Sequence, residues 1–344
     1  MLDLLYRQAM RTRRRWYARP GAARRLARPV ISVGNLSVGG TGKTPVVAAI
    51  AARLVAMGER PSVLSRGYGR RRVTRAPLVV SDGAGVHASV DEAGDEPLLL
   101  ARMVPGAVVV VAADRHAAGV VAERDHGCTV HVMDDGFQHV RLARDFDVIV
   151  TTPGEIAGGR VLPFGRLREG AETARVADAL VVVGATGKEA AAEARALGVA
   201  RSCGATRRLE SPVLLPGPAG ADPAEVLARG LPVVAAAGVA HPERFFDGLR
   251  EAGWRVAATL PFPDHHTFTA DDVRRIQDAA AAAGATLALV TEKDAVKIDA
   301  LGPLPLAVAR VPLALDFDES AAIDGWIAGA LAAGRRRGTA GGAA

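Results

Sequence analysis

A glycine-rich segment near the start of the chain contains the residue types that hold a phosphate chain. Its residues are Ser37, Val38, Gly39, Gly40, Thr41, Gly42, Lys43 and Thr44. Glycines let backbone N–H groups approach phosphate oxygens, a lysine can reach the β- and γ-phosphates, and a threonine hydroxyl can bind Mg²⁺. The strict pattern has glycine where Ser37 stands. The segment still lies between an apolar stretch and a helical one, so we predict an ATP site in which Lys43 is also catalytic.

Two acids follow a hydrophobic stretch further along the chain. Residues 130–133 are apolar apart from His131, and they lead directly into Asp134 and Asp135. P-loop enzymes present a metal-supporting carboxylate in this way, at the carboxyl end of a buried strand beside the phosphate loop. We predict that Asp134 and Asp135 serve Mg²⁺ together with Thr44. Which acid is the direct ligand stays open.

Three smaller clusters have alternative interpretations. Asp95 and Glu96 stand at a predicted helix start, where a carboxylate is either functional or a helix cap. Arg115, after Asp114, is either a phosphate-binding arginine or part of a surface ion pair. His265, in the sequence Asp264-His265-His266, is either an acid–base group or an ordinary loop histidine; adjacent histidines diverge and chelate one metal poorly. Two of the four lysines lie in the segment 291–297 and are candidates for phosphate or sugar contacts.

The positive charge of the chain is concentrated at its N-terminus. The net charge is +6, but residues 1–28 contain nine arginines and one acid, a local +8, so the remainder carries −2. This distribution argues against a nucleic-acid-binding body. Residues 2–17 have apolar residues on one side at helical spacing, and Pro20 and Gly21 follow. The pattern predicts an amphipathic helix that lies on an anionic membrane surface or, alternatively, packs on the core with a solvated basic face.

Length and composition favour one large and one smaller globular domain. The chain has 344 residues, of which 49% are hydrophobic, and its two cysteines fit no metal or disulfide pattern. We find no secretory signal pattern and no apolar run near the roughly 18 residues needed to span a bilayer. No protein partner is predicted.

Strand-like and helical segments alternate from residue 29 onward, which is typical of a parallel α/β sheet. We predict an N-terminal amphipathic helix (1–28), a P-loop core with a parallel sheet (29–205), a smaller C-terminal α/β domain (206–330) and a disordered tail (331–344). Residues 201–223, rich in glycine, proline and arginine, are predicted to be a linker region.

Taken together, the motifs resemble those of the tetraacyldisaccharide 4′-kinases, the lipid A kinases of Gram-negative bacteria. The matching segments, in order over nearly the whole chain, are residues 33–36 leading into the phosphate loop, 65–70, 94–97, 114–115, 134–139, 162–169, 264–265 and 291–297. Ser37 is normal for that family. Phe164 and Arg166 lie in a stretch that varies in such kinases.

The resemblance implies transfer of the ATP γ-phosphoryl group to the 4′-hydroxyl of a tetraacylated glucosamine disaccharide 1-phosphate. It also implies a peripheral enzyme on the cytoplasmic face of the bacterial inner membrane. Gln138 and Glu169 are implied as further members of the Mg²⁺ shell. Since Asp134 and Asp135 are assigned to the metal, Asp95 is the expected base for the sugar hydroxyl, with His265 orienting it.

A membrane-bound partitioning or positioning ATPase is the alternative from another class. Those switch proteins also combine a Gly-Gly-x-Gly-Lys-Thr loop with an amphipathic helix. Their loop places a signature lysine just before the two glycines, where this chain has Val38, and they have no need of a second α/β domain.

Overall fold

The computed structural model describes residues 2–216 and 226–341 of the chain. It divides into two compact units, one formed by Met1–Arg207 with Leu315–Ala344 and one formed by Arg208–Ala314. The predicted division at residues 205 and 206 is close to the first boundary. The end of the chain differs, because residues from Leu315 onward belong with the first unit. The predicted four-part division itself stays a prediction.

The strands are β1 (Val30–Gly34), β2 (Pro61–Ser65), β3 (Leu78–Asp82), β4 (Val108–Val111), β5 (Val130–Asp134), β6 (Phe146–Thr151), β7 (Ala179–Val183), β8 (Arg201–Leu209), β9 (Val213–Leu214), β10 (Pro232–Ala237), β11 (Arg255–Pro261), β12 (Leu287–Thr291), β13 (Ala307–Val311) and β14 (Leu313–Phe317). They form a nine-stranded sheet in the order β14-β8-β7-β6-β1-β5-β2-β4-β3 and a five-stranded sheet in the order β11-β10-β12-β13-β9.

The helices are α1 (Leu2–Tyr17), α2 (Lys43–Ala56), α3 (Val90–Ala93), α4 (Asp95–Met103), α5 (Arg115–His126), α6 (Gly187–Leu197), α7 (Pro242–Glu251), α8 (Ala270–Ala282), α9 (Glu292–Asp299) and α10 (Ser320–Gly341), with a 3₁₀ turn at Ala171–Val176. Local sequence sets several of their starts. Thr186 with Glu189, and Thr269 with Asp272, form capping boxes that satisfy the first N–H groups of α6 and α8. Among the described residues, no helix is both long and apolar enough to cross a membrane.

The large sheet is parallel from β8 through to β4, and β3 joins its edge antiparallel. Its central strands are buried at every position, as in β1, β4 and β5, which explains why most of their residues are apolar. The predicted α/β class with a large parallel sheet is therefore confirmed. Because β1 lies between β5 and β6, the loops after these neighbouring strands meet at one edge of the sheet.

Two segments differ from the sequence-based expectation. Residues 201–223 were predicted to be a linker, but Arg201–Leu209 is a strand whose Cys203, Gly204 and Ala205 are buried and pair with β7. Because arginines flank these three buried residues, the sequence pattern did not indicate a strand. Residues 331–344 were predicted to be disordered, whereas α10 continues to Gly341, with Ile323, Ile327, Ala330 and Leu331 buried at helical spacing. Residues 342–344 lie outside the described part.

The second unit has its own sheet and core. β10, β11, β12 and β13 are parallel, and the short β9 pairs antiparallel with β13. One face packs against α8 and α9 through residues such as Val273, Ile276 and Ile298, and the other face packs against α7 through Phe245, Phe246 and Leu249. This unit therefore has apolar cores on both faces of its sheet.

Candidate active site

The phosphate loop connects β1 to α2 at the carboxyl edge of the large sheet. Gly42 has a φ of 90° and occupies the position before the first residue of α2, and Gly39 has a φ of 116°. Both values lie in the left-handed region, where glycine is favoured. Lys43 is the first residue of the helix, so the unsatisfied N–H groups of the first turn and the positive end of the helix dipole adjoin the loop. This is the geometry of an anion-binding site.

The loop's first residue shows why serine serves where the strict pattern has glycine. Ser37 is 1% exposed, and its hydroxyl donates to Glu155 Oε1 at 2.6 Å. The Asn35 side-chain amide donates to Thr41 Oγ1 at 3.2 Å, which ties the two ends of the loop together. The Ser37 side chain is therefore held by a carboxylate that lies outside the loop.

The paired acids lie beside this loop, as the sequence predicted for a strand neighbouring β1. Asp134 ends β5 in register with Val33 of β1. The Lys43 ammonium is 3.7 Å from Asp135 Oδ1, and Arg168 donates to Asp135 Oδ2 at 2.7 Å. Asp135 has a φ of 48°, an uncommon conformation for a residue with a side chain, and such strain concentrates at functional sites. The structure thus brings Lys43, Asp134 and Asp135 together.

The two acids differ in electrostatics. Burial of Asp134, with the charges of Glu96 and Asp135, raises the pKa of its carboxyl to about 6, against the opposing effect of a hydrogen bond from Ser65. Burial also acts to raise the pKa of Asp135, but the charges of Lys43 and Arg168 outweigh it and hold that pKa below its usual range. A carboxylate whose ionisation is opposed by burial and by neighbouring acids favours a bound cation.

We expect Asp134→Asn to stabilise the protein at pH 8 when Mg²⁺ and nucleotide are absent. A pKa raised in the folded state means that ionisation opposes folding, so stability is lost as the pH rises from about 4 through about 6. The neutral amide of the variant would carry no such penalty, which is at most about 3 kcal/mol. Urea unfolding at pH 4.5 and pH 8 measures it. Asp135→Asn is the control and should be destabilising at pH 8, because its pKa is lowered. If Asp134→Asn changed the free energy of unfolding equally at both pH values, the raised pKa of Asp134 would be contradicted.

The donor set is compatible with Mg²⁺. Carboxylate and hydroxyl oxygens are the ligands that Mg²⁺ prefers, and it is commonly held by one or two carboxylates plus substrate phosphates. Asp135 Oδ1 is buried without a hydrogen-bond donor, although Lys43 is nearby. Within residues 2–216 and 226–341 no group of three or more His, Cys, Asp or Glu side chains forms an all-protein metal site. That Thr44, Asp134 and Asp135 hold the ion together with nucleotide phosphates stays a prediction.

Gln138 and Glu169, the other predicted metal-shell residues, lie near the acids but have protein partners. The Gln138 amide donates to Asn35 O at 2.8 Å, and its oxygen accepts from Arg168 at 3.3 Å. The two Glu169 oxygens each accept from Arg14, at 2.9 Å. Any contact with Mg²⁺ would use the remaining lone pairs of these oxygens, so their metal roles stay predictions.

Asp95 and His265 lie in different units. Asp95, which is 8% exposed, is the first residue of α4, where the helix dipole stabilises its negative charge. The preceding Gly94 occupies the cap position, and Asp95 Oδ1 accepts from the N–H of Glu96 at 3.0 Å. His265 has a φ of 58°, and its Nε2 is 3.2 Å from the Lys293 ammonium. The predicted pairing of Asp95 with His265 stays a prediction.

Three further residues lie in the segments that resemble the family but were given no site role from the sequence. Arg168 lies in the segment 162–169, but its contact with Asp135 depends on a fold that joins distant segments. Ser65 ends β2 and donates to Asp134 at 2.9 Å. Arg166 donates to Val38 O at 2.9 Å and lies against Gly39. Their signal was their place at strand ends or beside the phosphate loop.

Arg115 is buried rather than part of a surface ion pair. It is 4% exposed and donates to the carbonyls of Ala112 and Ala113. Burial lowers its pKa to about 10, while the charges of Asp134 and Asp135 act to raise it, so it stays cationic at neutral pH. The exposed ion pair at this place is formed by Asp114 with Arg24.

Comparison with known proteins identifies the family of this chain. The family model described as tetraacyldisaccharide-1-P 4′-kinase matches residues 1–332. A tetraacyldisaccharide 4′-kinase from Geobacter sulfurreducens is 44% identical over 298 residues, which cover 86% of this chain and 82% of the relative. One from a Bradyrhizobium strain is 40% identical over 317 residues, which cover 90% of this chain and 85% of the relative.

A solved structure shows the same similarity. The crystal structure of LpxK from Aquifex aeolicus in complex with ATP aligns with a TM-score of 0.75 at 29% identity and covers 96% of this chain and 97% of that chain. These matches confirm the predicted resemblance, the P-loop α/β fold and the predicted kinase class. The chain belongs to the tetraacyldisaccharide-1-phosphate 4′-kinase family.

Proposed function

We propose that this chain transfers the γ-phosphoryl group of ATP to the 4′-hydroxyl of a tetraacyl glucosamine disaccharide 1-phosphate. The observation that carries the proposal is the contact of Lys43, at the phosphate loop, with Asp135 at the neighbouring strand end, at 3.7 Å. Family membership supports the substrate, and the ATP complex of the Aquifex protein supports the nucleotide. The switch ATPase is not favoured, because the family match covers residues 1–332.

The cationic groups would stabilise the charge on the transferred group. Lys43 and the first N–H groups of α2 bind the phosphates, and Arg115 and Arg168 add positive charge near the paired acids. Thr44, Asp134 and Asp135 would hold Mg²⁺, which would supply positive charge to balance the charge of the phosphates. Positioning and electrostatics of this kind account for most of phosphoryl-transfer catalysis.

Asp95 is the proposed base for the sugar hydroxyl. A hydroxyl is a weak nucleophile until its proton is taken, and a carboxylate within hydrogen-bond reach can accept that proton. The burial of Asp95 at the start of α4 supports this role. His265 is the residue proposed to orient this carboxylate and share its proton.

We also propose that the enzyme is peripheral to the cytoplasmic face of the inner membrane and that α1 contacts the bilayer. Leu4, Leu5 and Trp16 are exposed by 64%, 62% and 54%. Exposed arginines of this N-terminal segment, such as Arg15 and Arg19, would attract anionic headgroups, each by about 1 kcal/mol. The predicted apolar side is divided in the structure, since Tyr6, Met10 and Tyr17 are half-buried while Leu5 and Trp16 face outward.

The triple substitution Leu4→Ser, Leu5→Ser, Trp16→Ala should weaken binding to vesicles that contain phosphatidylglycerol by about tenfold or more. The outward apolar groups would no longer enter the headgroup region. Vesicle sedimentation measures this, and binding of a fluorescent ATP analogue should be unchanged. Val86→Ser, at an exposed apolar residue outside α1, is the control. Equal sedimentation of the triple variant and the wild type would contradict the assignment.

One assay tests the proposed activity. The purified protein is incubated with γ-labelled ATP, Mg²⁺ and the disaccharide lipid, and the lipid fraction is examined for label. Transfer to the lipid is expected. ATP hydrolysis without labelled lipid would favour the switch ATPase instead.

A further inference from the structure

Arg14 in α1 forms an unusually well-enclosed set of contacts for an N-terminal helix. Its Nε and one terminal nitrogen donate to the two Glu169 oxygens, both at 2.9 Å, and the same terminal nitrogen donates to Phe137 O at 3.1 Å. The guanidinium lies 4.3 Å from the centroid of the buried Phe137 ring. The Arg14 and Glu169 side chains are only 16% and 5% exposed. Enclosed, two-point ion pairs of this type fix geometry far better than surface pairs do.

Neighbouring residues of α1 contact the same two segments of the core. Arg13 donates to Gln138 O at 3.0 Å, and the Tyr6 hydroxyl donates to Arg168 O at 2.9 Å. Arg7 and Arg11 donate to the two oxygens of Glu172, at 3.1 and 2.6 Å. The inward side of α1 therefore bonds to residues 137–138 and to residues 168–172.

These two segments carry the groups assigned to the phosphates and the metal. Residues 137–138 follow Asp134 and Asp135 directly, and the turn between them is held by the bond from Gly136 N to Val33 O at 2.9 Å. Arg168 holds Asp135 at 2.7 Å, and Asp135 lies 3.7 Å from the Lys43 ammonium. Arg14 thus joins the two segments at a point close to the acids without being one of the reacting groups.

We propose that Arg14 is a positioning residue, which clamps residues 134–138 to residues 167–170 and so makes α1 part of the catalytic core as well as a membrane contact. The proposal rests on the proposed kinase function, because it concerns the placement of the groups that this function uses. Substitution of a residue that orients metal ligands typically lowers activity by about 10- to 100-fold.

The two roles of α1 can be separated by residue. The side chain of Arg15 is exposed and forms no hydrogen bond or ion pair within the described part of the chain, whereas that of its neighbour Arg14 faces the core. Arg14→Ala and Arg15→Ala remove the same charge from the same helix. Only the first removes the contact with Glu169 and Phe137. Arg14→Lys keeps the charge but loses the two-point geometry.

The test compares the wild type, Arg14→Ala, Arg14→Lys and Arg15→Ala. Hydrogen–deuterium exchange is first measured on full-length protein without nucleotide or metal, over residues 134–138 and 167–170. We expect faster exchange there in Arg14→Ala, an intermediate rate in Arg14→Lys and the wild-type rate in Arg15→Ala. The kcat and the Mg²⁺ concentration for half-maximal rate follow, and we expect kcat about 10- to 100-fold lower in Arg14→Ala.

Unchanged exchange in Arg14→Ala would overturn the clamp, and faster exchange with wild-type kcat would overturn its catalytic role. If Arg14→Ala failed to fold, Arg14→Lys would decide: wild-type exchange and kcat in that variant would overturn the need for two-point geometry. Equal kcat losses in Arg14→Ala and Arg15→Ala would assign the effect to membrane charge instead. A wild-type protein without kinase activity would refute the proposed function, and the exchange difference would still decide whether Arg14 holds the two segments.

Discussion

Lys43→Ala is expected to fold normally and to lose turnover by about 10³-fold or more. The lysine is the first residue of α2, and its ammonium lies 3.7 Å from Asp135, so it stands where the transferred group's charge would develop. The substitution removes the positive charge that would stabilise the transition state, but it leaves the backbone N–H groups of the loop in place. The kcat with saturating ATP and lipid measures the effect.

Lys188→Ala is the matched control for this substitution. Lys188 is exposed near the start of α6, and the variant removes the same charge at a helix N-terminus of the same unit. It should keep the wild-type kcat. Thermal unfolding of both variants checks that the fold is intact. Near-normal turnover in Lys43→Ala would contradict the assignment of the nucleotide site to this loop.

Asp95→Ala is expected to lower kcat by about 10²- to 10⁴-fold while ATP binding stays nearly intact. The carboxylate is proposed to take the proton of the sugar hydroxyl and makes no contact with the phosphate loop in that scheme. A role confined to the helix start would instead cost about 1 kcal/mol of stability and little rate. Gly94 already occupies the cap position, which favours the catalytic role.

Combining Asp95→Ala with His265→Ala tests whether the two residues act as a unit. The double variant should lose much less than the product of the two single losses, because removing either partner already disables the pair. His266→Ala is the control, since that neighbouring histidine bonds to Asp272 at 2.9 Å within its own unit. Fully multiplicative losses would separate Asp95 from His265, and a fully active Asp95→Ala protein would remove Asp95 from the mechanism.

Local signals in the sequence were sufficient for the centre of the fold. β1 and β5 are mostly apolar because they are buried on both faces, and Gly39 and Gly42 of the phosphate loop have the positive φ angles that glycine favours. Lys43 and the acids could be paired from sequence because parallel strands end at one edge of a sheet. Strands far from the centre of the sheet were harder to predict, since β8 has only three buried residues between exposed arginines.

Contacts between distant segments could not be predicted from local patterns. The apolar spacing of α1 suggested a single apolar face and a solvated basic one. In the structure the helix docks through Arg14 and Tyr6, and the apolar residues are divided between core and solvent. An arginine that pairs with a carboxylate 155 positions away has the same local sequence signature as a solvated arginine. The contact of Arg168 with Asp135 could not be predicted from the local sequence for the same reason.

The position of the new phosphate on the product tests the central claim most directly. Wild-type protein and Lys43→Ala are each incubated with ATP, Mg²⁺ and the tetraacyl disaccharide 1-phosphate, and the purified lipid is analysed by ³¹P–¹H correlation NMR. The account predicts a second phosphomonoester coupled to the 4′ proton of the distal glucosamine, made by the wild type and almost absent with Lys43→Ala. A lipid recovered without a new phosphate, or with one at another position, would contradict it.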